Sequence, residues 1–100
     1  MKISEFKKAI ESIGFCNGKD LKVTENDREF YIQNGNIVLA IIDKTANCLI
    51  DTCYQDFFEL EERLRQTLFD TICEFASTPP EEREDERWKV KEWQLENYII

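Results

Sequence analysis

Residues 56–76 read DFFELEERLRQTLFDTICEFA, the longest stretch of helical periodicity in the chain. The apolar side chains fall on two adjacent lines at helical spacing, Phe57, Leu60, Leu64, Leu68, Ile72 and Phe75 on one and Phe58, Phe69, Cys73 and Ala76 on the other. An apolar face this wide is typical of a helix that lies across a sheet, whereas a coiled coil needs only a narrow seam. The stretch therefore predicts one long amphipathic helix packed on a β-sheet.

Both ends of this helix carry sequence signals. Asp56 is a suitable N-cap residue, and Glu59, three residues later, would complete a capping box. Pro79 disfavours helical geometry at Thr78, so the helix should end near Ala76.

The polar side of the same helix is acidic. Glu62, Gln66, Asp70 and Glu74 form a row with a spacing of four residues, pointing away from the apolar lines. Most such rows are solvated helix faces that keep a protein soluble. The functional alternative is a partner-binding surface, or an imitation of a phosphate backbone, since four helical residues span about 6 Å.

The first half of the chain predicts a helix followed by strands. Ser4 is a suitable cap for a helix whose apolar face carries Phe6, Ala9, Ile10 and Ile13, and Gly14 would close it in the left-handed conformation. Leu21 and Val23 alternate with polar residues as a short edge strand, and residues 48–52 read as a last strand before the main helix.

Between these strands, REFYIQ and NIVLAII are joined by Asn34-Gly35, a strong hairpin signal. A two-residue loop there pairs Ile32 with Ile37 and Phe30 with Leu39, which places these four side chains on one face. Residues 37–42 are apolar throughout, so we expect a central strand covered on both faces.

The end of the chain predicts a short acidic turn and a C-terminal strand. Thr78 would cap the turn with Pro79 at its first position, and residues 81–86 are mostly acidic. Trp88 and Trp93 follow in an imperfect alternation that favours a strand over a helix. They either fold back on the sheet or form a partner-binding patch, because exposed tryptophans tend to anchor interfaces. The apolar ending suggests a strand pairing or a homodimer contact.

The predicted architecture is a single α+β domain over residues 1–100: an N-terminal helix, a three- to four-stranded antiparallel meander, the long helix, the acidic turn and the last strand. A net charge of −8 argues against direct nucleic-acid binding and against anionic membrane surfaces. No apolar run reaches the length of a membrane span, and residues 1–10 do not resemble a signal peptide. We expect a cytoplasmic protein.

The sequence offers no catalytic constellation. It contains no histidine, its four cysteines form no CxxC pair, and its three glycines match no phosphate-binding loop. We therefore expect no enzyme, no metal site and no cofactor, although a site built from Asp, Glu, Lys and Tyr alone stays open.

The stretch LFDTICEFASTPPEERED, residues 68–85, with CLIDTCYQDFFEL before it, resembles a recurring type of small uncharacterised protein encoded by phages and prophages of Gram-positive bacteria. Its distinctive part is an acidic-sided helix running into S/T-P-x-E-E-R. The resemblance covers roughly residues 30–90 and implies expression inside a bacterial host cell. It transfers no active-site residue.

Two functional hypotheses follow. The first is a non-enzymatic protein-interaction module of phage origin that binds a protein partner through Glu62, Gln66, Asp70 and Glu74, or through Trp88 and Trp93. The second is an acidic nucleic-acid mimic that inhibits a DNA- or RNA-binding host protein, such as a defence nuclease.

Overall fold

The computed structural model describes residues 1–84, which form the predicted α+β architecture. The elements run in the order α1 (Ile3–Cys16), β1 (Leu21–Glu25), β2 (Glu29–Asn34), β3 (Ile37–Asp43), β4 (Ile50–Asp51), α2 (Gln55–Phe58) and α3 (Glu62–Ala76), followed by a 3-10 turn at Pro80–Glu82. The strands form one antiparallel sheet in the order β1-β2-β3-β4, the predicted meander. The predicted C-terminal strand and the last two residues of the acidic segment 81–86 lie outside the described residues.

The prediction of one unbroken helix over residues 56–76 is wrong. The chain leaves helical geometry at Glu61, whose ψ of 138° separates α2 from α3. The turn puts both Phe57 and Leu60 into the core, at 4% and 9% exposure. The break frees backbone carbonyls, and Arg65 binds them: its Nη1 donates to the carbonyl oxygen of Phe58 at 2.7 Å and to that of Leu60 at 3.4 Å.

The predicted capping of this segment is also wrong. The N-cap positions are Tyr54 for α2 and Glu61 for α3, and neither supplies a side-chain cap. Asp56 lies inside the first turn of α2, and Glu59 accepts instead from the side-chain amide of Gln55 at 2.8 Å.

One of the two predicted apolar lines forms the buried face of α3. Leu64, Leu68, Ile72 and Phe75 of the first line are buried, together with Ala76 of the second. In the rest of the second line, Phe58 retains 60% and Phe69 retains 38% of its surface, and Cys73 is half-buried. The helix ends at Ala76, as the two prolines predict.

The N-terminal helix has the predicted core face but different ends. Phe6 and Ile10 are fully buried, while Ser4 lies inside the first turn, since α1 begins at Ile3. Gly18, not Gly14, is the left-handed residue that closes the helix, with a φ of 65°. The amide of Lys19 donates to the carbonyl oxygen of Gly14 at 2.8 Å, and that of Gly18 to Phe15 at 3.3 Å. These two bonds are the pattern of a Schellman motif.

Gly14 is needed for space rather than for its φ angle. A Cβ atom at this position would lie 2.8 Å from the carbonyl oxygen of Lys19 and 2.8 Å from the Cβ of Leu21. The absence of a side chain therefore lets the last turn of α1 lie directly against the start of β1.

The hairpin forms where the sequence predicts it, but in another register. Asn34 pairs with Ile37, so the two loop residues are Gly35 and Asn36, and Gly35 takes a φ of 59°. A bulge then leaves Leu39 without a partner, and Ile32 pairs with Ala40. The predicted pairs of Ile32 with Ile37 and of Phe30 with Leu39 are wrong.

The bulge also changes which residues of β3 face the core. Leu39 and Ala40 are both buried although they are neighbours, and Ile42 follows two residues later. Val38 and Ile41 are only half-buried, so the described residues cover one face of β3 well and not both. The helical layer lies on this single face, as the core side chains from α1, α3 and the sheet show.

Three phenylalanines join the two helices to the sheet. The rings of Phe6 and Phe75 stack with centroids 4.2 Å apart and planes 3° from parallel. Phe30 meets Phe75 edge-on at 5.2 Å. Such pairs add roughly 0.5–1.5 kcal/mol to the free energy gained by burial, and this cluster connects α1, β2 and α3.

After α3 the chain folds back and buries Arg83, which is 2% exposed. Its guanidinium donates to four carbonyl oxygens, those of Thr78 (2.8 Å), Ala76 (2.9 Å), Asp43 (3.0 Å) and Ala46 (3.3 Å). It also lies over the ring of Phe75, 5.1 Å from the centroid. The guanidinium thus provides hydrogen-bond donors for the carbonyls at the end of α3, where the helix dipole stabilises a positive charge.

The predicted cap of the turn is shifted by one residue. Pro79 is the N-cap and Pro80 the first residue of the 3-10 turn. The hydroxyl of Thr78 instead donates to the carbonyl oxygen of Glu74 at 3.1 Å and accepts from the amino group of Met1 at 2.9 Å.

Candidate functional site

The acidic row of α3 faces outward. Glu62, Gln66, Asp70 and Glu74 are all exposed and lie on the side opposite the buried face. The side-chain amide of Gln66 donates to the carboxylate of Asp70 at 2.8 Å, which fixes these two neighbours relative to each other. The structure therefore brings the four predicted residues together on one surface, here named the α3 acidic face.

The charge of this surface is not neutralised by the described part of the chain. Residues 53–78 contain six acidic and two basic side chains. One of the two, Arg65, is engaged with the carbonyls at the helix break. Within residues 1–84 the ion pairs both belong to Glu25, which meets Lys7 at 3.0 Å and Lys44 at 2.9 Å. The carboxylates of the α3 acidic face are thus free of intramolecular ion pairs with residues 1–84.

Trp88 and Trp93, the other predicted partner-binding residues, lie outside the described residues. Their role as a binding patch stays a prediction.

A second feature lies beside the helix break. A cleft of 310 Å³ opens between the end of α1, the β2–β3 hairpin and the turn from α2 to α3. Its apolar wall consists of Ile37, Leu39, Leu60 and Leu64. Its polar rim carries Asp56, Glu59 and Glu61 on one side and Asn17, Lys19 and Asn34 on the other.

The sequence patterns missed this cleft. The register predicted for the hairpin put Ile37 in the core, and the predicted unbroken helix left no turn at Glu61. No local signal marks the cleft, because it depends on the helix break at Glu61 and on the hairpin register.

The shifted pKa values have local structural causes. Partial burial raises the pKa of Glu25, but the hydrogen bonds and charges of Lys44 and Lys7 outweigh this, so the net shift is downward. Hydrogen bonds from the amide and hydroxyl of Thr45 and from the amide of Ala46 lower the pKa of Asp43. Burial raises the pKa of the Cys73 thiol, and the charges of Asp70 and Cys48 add to it.

These groups do not form a catalytic arrangement with one another. Glu25 is in an ion-pair cluster, Asp43 shapes the β3–β4 loop, and Cys73 lies on α3. Within residues 1–84 no group of three or more acidic or cysteine side chains is placed to hold a metal ion.

No helix within residues 1–84 is long and apolar enough to cross a membrane.

Comparison of the chain with protein-family models, with curated proteins and with solved structures gave no match. The function is therefore inferred from the geometry of the chain itself.

Proposed function

We propose that this protein is a non-enzymatic interaction module that binds the basic surface of a protein partner through the α3 acidic face. One observation carries the proposal: Glu62, Asp70 and Glu74 are exposed in one row and take no part in ion pairs with residues 1–84. A partner with matching Lys or Arg residues would meet an uncompensated anionic surface, which favours encounter and orientation.

The same physics limits what the acidic face can do alone. An exposed ion pair contributes roughly 0.2–1 kcal/mol, so three carboxylates give steering rather than tight binding. Stable association needs an apolar anchor close to the charged row. Trp88 and Trp93 are the anchors that the sequence predicts, and they stay part of the proposal.

Phage or prophage origin and a cytoplasmic location in a bacterial host are also part of the proposal. They are supported by the resemblance of residues 68–85 to small phage-encoded proteins.

A nucleic-acid mimic is the second candidate. The row on α3 repeats at about 6 Å, similar to the separation of successive phosphates, and its side chains are exposed along the whole helix. In this case the partner would be a DNA- or RNA-binding host protein, and the surface would occupy its nucleic-acid site.

The test is affinity capture with the full chain from a Gram-positive bacterial lysate, with each captured protein then measured against salt. The charge-reversed variant Glu62→Lys/Asp70→Lys is compared with Glu11→Lys/Asp27→Lys, which reverses two exposed carboxylates elsewhere. Each substitution raises the net charge by two units, so both double variants change it from −8 to −4.

The expected result is binding that weakens steeply with salt and falls at least tenfold in the first variant only. Equal loss in both variants would show a general effect of net charge, and no loss in either would remove the acidic face from the function. If duplex DNA or RNA releases the partner, the protein acts as a nucleic-acid mimic. If neither nucleic acid releases it, the interaction module without mimicry is favoured.

A further inference from the structure

The cleft beside the helix break is a gap in the helical layer of the fold. Ile37 pairs with Asn34, which alternates along β2 with the buried Phe30 and Ile32, so Ile37 lies on the core face of the sheet. Leu39 is 1% exposed and Ile37 is 48% exposed. Leu39 belongs to the hydrophobic core, whereas Ile37, at the hairpin end, lies outside it. Ile37 therefore lies on the core face of the sheet, yet residues 1–84 leave about half of its side chain exposed.

The rim of the cleft is charged on one side. Asp56, Glu59 and Glu61 come from α2 and the turn after it, while Lys19 is the cation on the opposite rim. With three carboxylates and one ammonium, the lining has a net charge of −2. The cleft thus combines an apolar wall with a rim of net negative charge.

We propose that this cleft is the anchor site for an arginine side chain of the protein partner, with an apolar neighbour of that arginine packed on Ile37. The inference rests on the proposed function and adds to it the residue that the partner inserts. Glu61 borders the cleft and Glu62 begins the α3 acidic face, so one basic partner surface can engage both.

The chemistry of the cleft favours this occupant over others. An arginine has an apolar stem that suits the apolar part of the lining and a planar cation that binds carboxylates with two parallel bonds. A volume of 310 Å³ is at the small end of ligand sites, which suits one or two side chains. An anion is disfavoured by the net charge, and among residues 1–84 the cleft carboxylates do not form a metal-binding group.

The test uses the ¹⁵N-labelled full chain and two probes, N-acetyl-Leu-Arg-amide and the same dipeptide with citrulline in place of arginine. Citrulline keeps the shape of arginine but has no charge. The arginine probe should shift the amide signals of Ile37, Leu60 and Leu64 in a saturable way. The citrulline probe should bind about tenfold more weakly, since a charged hydrogen bond is stronger by about 1.4 kcal/mol. Equal binding of both probes, or shifts elsewhere only, would overturn the proposal.

Matched variants locate the binding. Ile37→Ser and Glu61→Gln should each weaken the arginine probe at least fivefold. Leu49→Ser, which alters a residue that is 56% exposed and does not line the cleft, should leave binding unchanged. The ¹⁵N spectrum of each variant shows whether the fold is retained. The assignment would be refuted if Leu49→Ser lost binding. It would also be refuted if Ile37→Ser kept its fold and bound the probe as tightly as the wild type.

The two proposals can fail separately. If Glu62→Lys/Asp70→Lys abolishes partner capture while Ile37→Ser leaves both capture and probe binding intact, the acidic face is confirmed and the cleft is not an anchor. If the arginine probe binds the cleft but charge reversal on α3 leaves capture unchanged, the cleft assignment holds and the α3 proposal is wrong.

Discussion

Arg83 donates from Nη1 to the backbone carbonyl oxygen of Asp43, 3.0 Å away and 40 residues earlier in the chain. The carboxylate of Asp43 meanwhile accepts from the backbone amides of Thr45 and Ala46, at 2.7 and 2.8 Å. Asp43 therefore bends the β3–β4 loop so that its carbonyls point inward, and Arg83 fills the space they surround. The pair joins the end of the sheet to the end of α3.

Replacing Arg83 should be the most destabilising change in the segment after α3. In Arg83→Met the aliphatic stem is retained, but the carbonyls of Ala76, Thr78, Asp43 and Ala46 each lose the bond from the guanidinium. The carbonyl of Ala76 keeps its bond from the amide of Cys48 at 2.9 Å. We expect the free energy of unfolding to fall by about 3 kcal/mol, measured by urea denaturation. Arg63→Met, at an exposed position of α3, is the control and should cost under about 0.5 kcal/mol. Similar losses for both would mean that the buried bonds contribute little.

Gly14→Ala should destabilise the protein, although helix propensity alone predicts a gain of about 1 kcal/mol. The new Cβ would lie 2.8 Å from the carbonyl oxygen of Lys19, a backbone atom that cannot rotate away. We expect a net loss of about 2 kcal/mol, measured by thermal or urea unfolding.

Gly18 gives the matched comparison for this prediction. Nothing lies within 4 Å of a Cβ atom at this position. Gly18→Ala should therefore lower the free energy of unfolding only through the strain of an alanine at a φ of 65°, by about 1 kcal/mol. Gly18→Asn should be milder, because asparagine tolerates the left-handed conformation. A stabilising effect of Gly14→Ala would show that α1 does not approach β1 as closely as described.

Asp43 should make the free energy of unfolding depend on pH under acidic conditions. Its pKa is lowered by the hydrogen bonds from Thr45 and Ala46. The stabilisation is therefore present above the unfolded-state pKa of about 3.9 and is lost as the pH falls through the lower folded-state pKa. The difference in unfolding free energy between wild type and Asp43→Asn should be largest above about pH 5 and shrink towards pH 3. A difference that does not change over this range would contradict the proposed role of the carboxylate.

Cys73 should react slowly with thiol reagents. Burial, together with the charges of Asp70 and Cys48, raises the pKa of its thiol and so reduces the thiolate fraction. A variant that retains only Cys73 should be alkylated by iodoacetamide more slowly at pH 8 than one that retains only the exposed Cys16. Both rates should become equal in denaturant, and a persistent difference there would show that the fold is not its cause.

Much of the fold follows from local sequence patterns. The apolar spacing of residues 64–76 predicts the buried face of α3, and the spacing of Phe6 and Ile10 predicts that of α1. Asn34-Gly35 predicts where the hairpin turns, because few residues adopt a positive φ without strain. The outward direction of Glu62 and Asp70 follows from the same helical period.

Other features depend on contacts between distant segments. Whether residues 56–76 form one helix or two depends on the packing of Phe57 and Leu60 and on Arg65 binding the freed carbonyls. The hairpin register depends on the bulge at Leu39, which allows both Leu39 and Ala40 to meet the helices. Neither result is visible in residue spacing.

The sequence alone determined the α+β class, the order of the elements and an acidic helix face, because periodicity and turn chemistry act over a few residues. Only the tertiary structure decided that Arg83 is buried, that Gly14 is needed for space and that Ile37 is half-exposed in a cleft that three carboxylates also line. Each of these depends on which segments meet across the core. That choice is made by the shape and hydrogen bonding of the whole chain, and no local pattern records it.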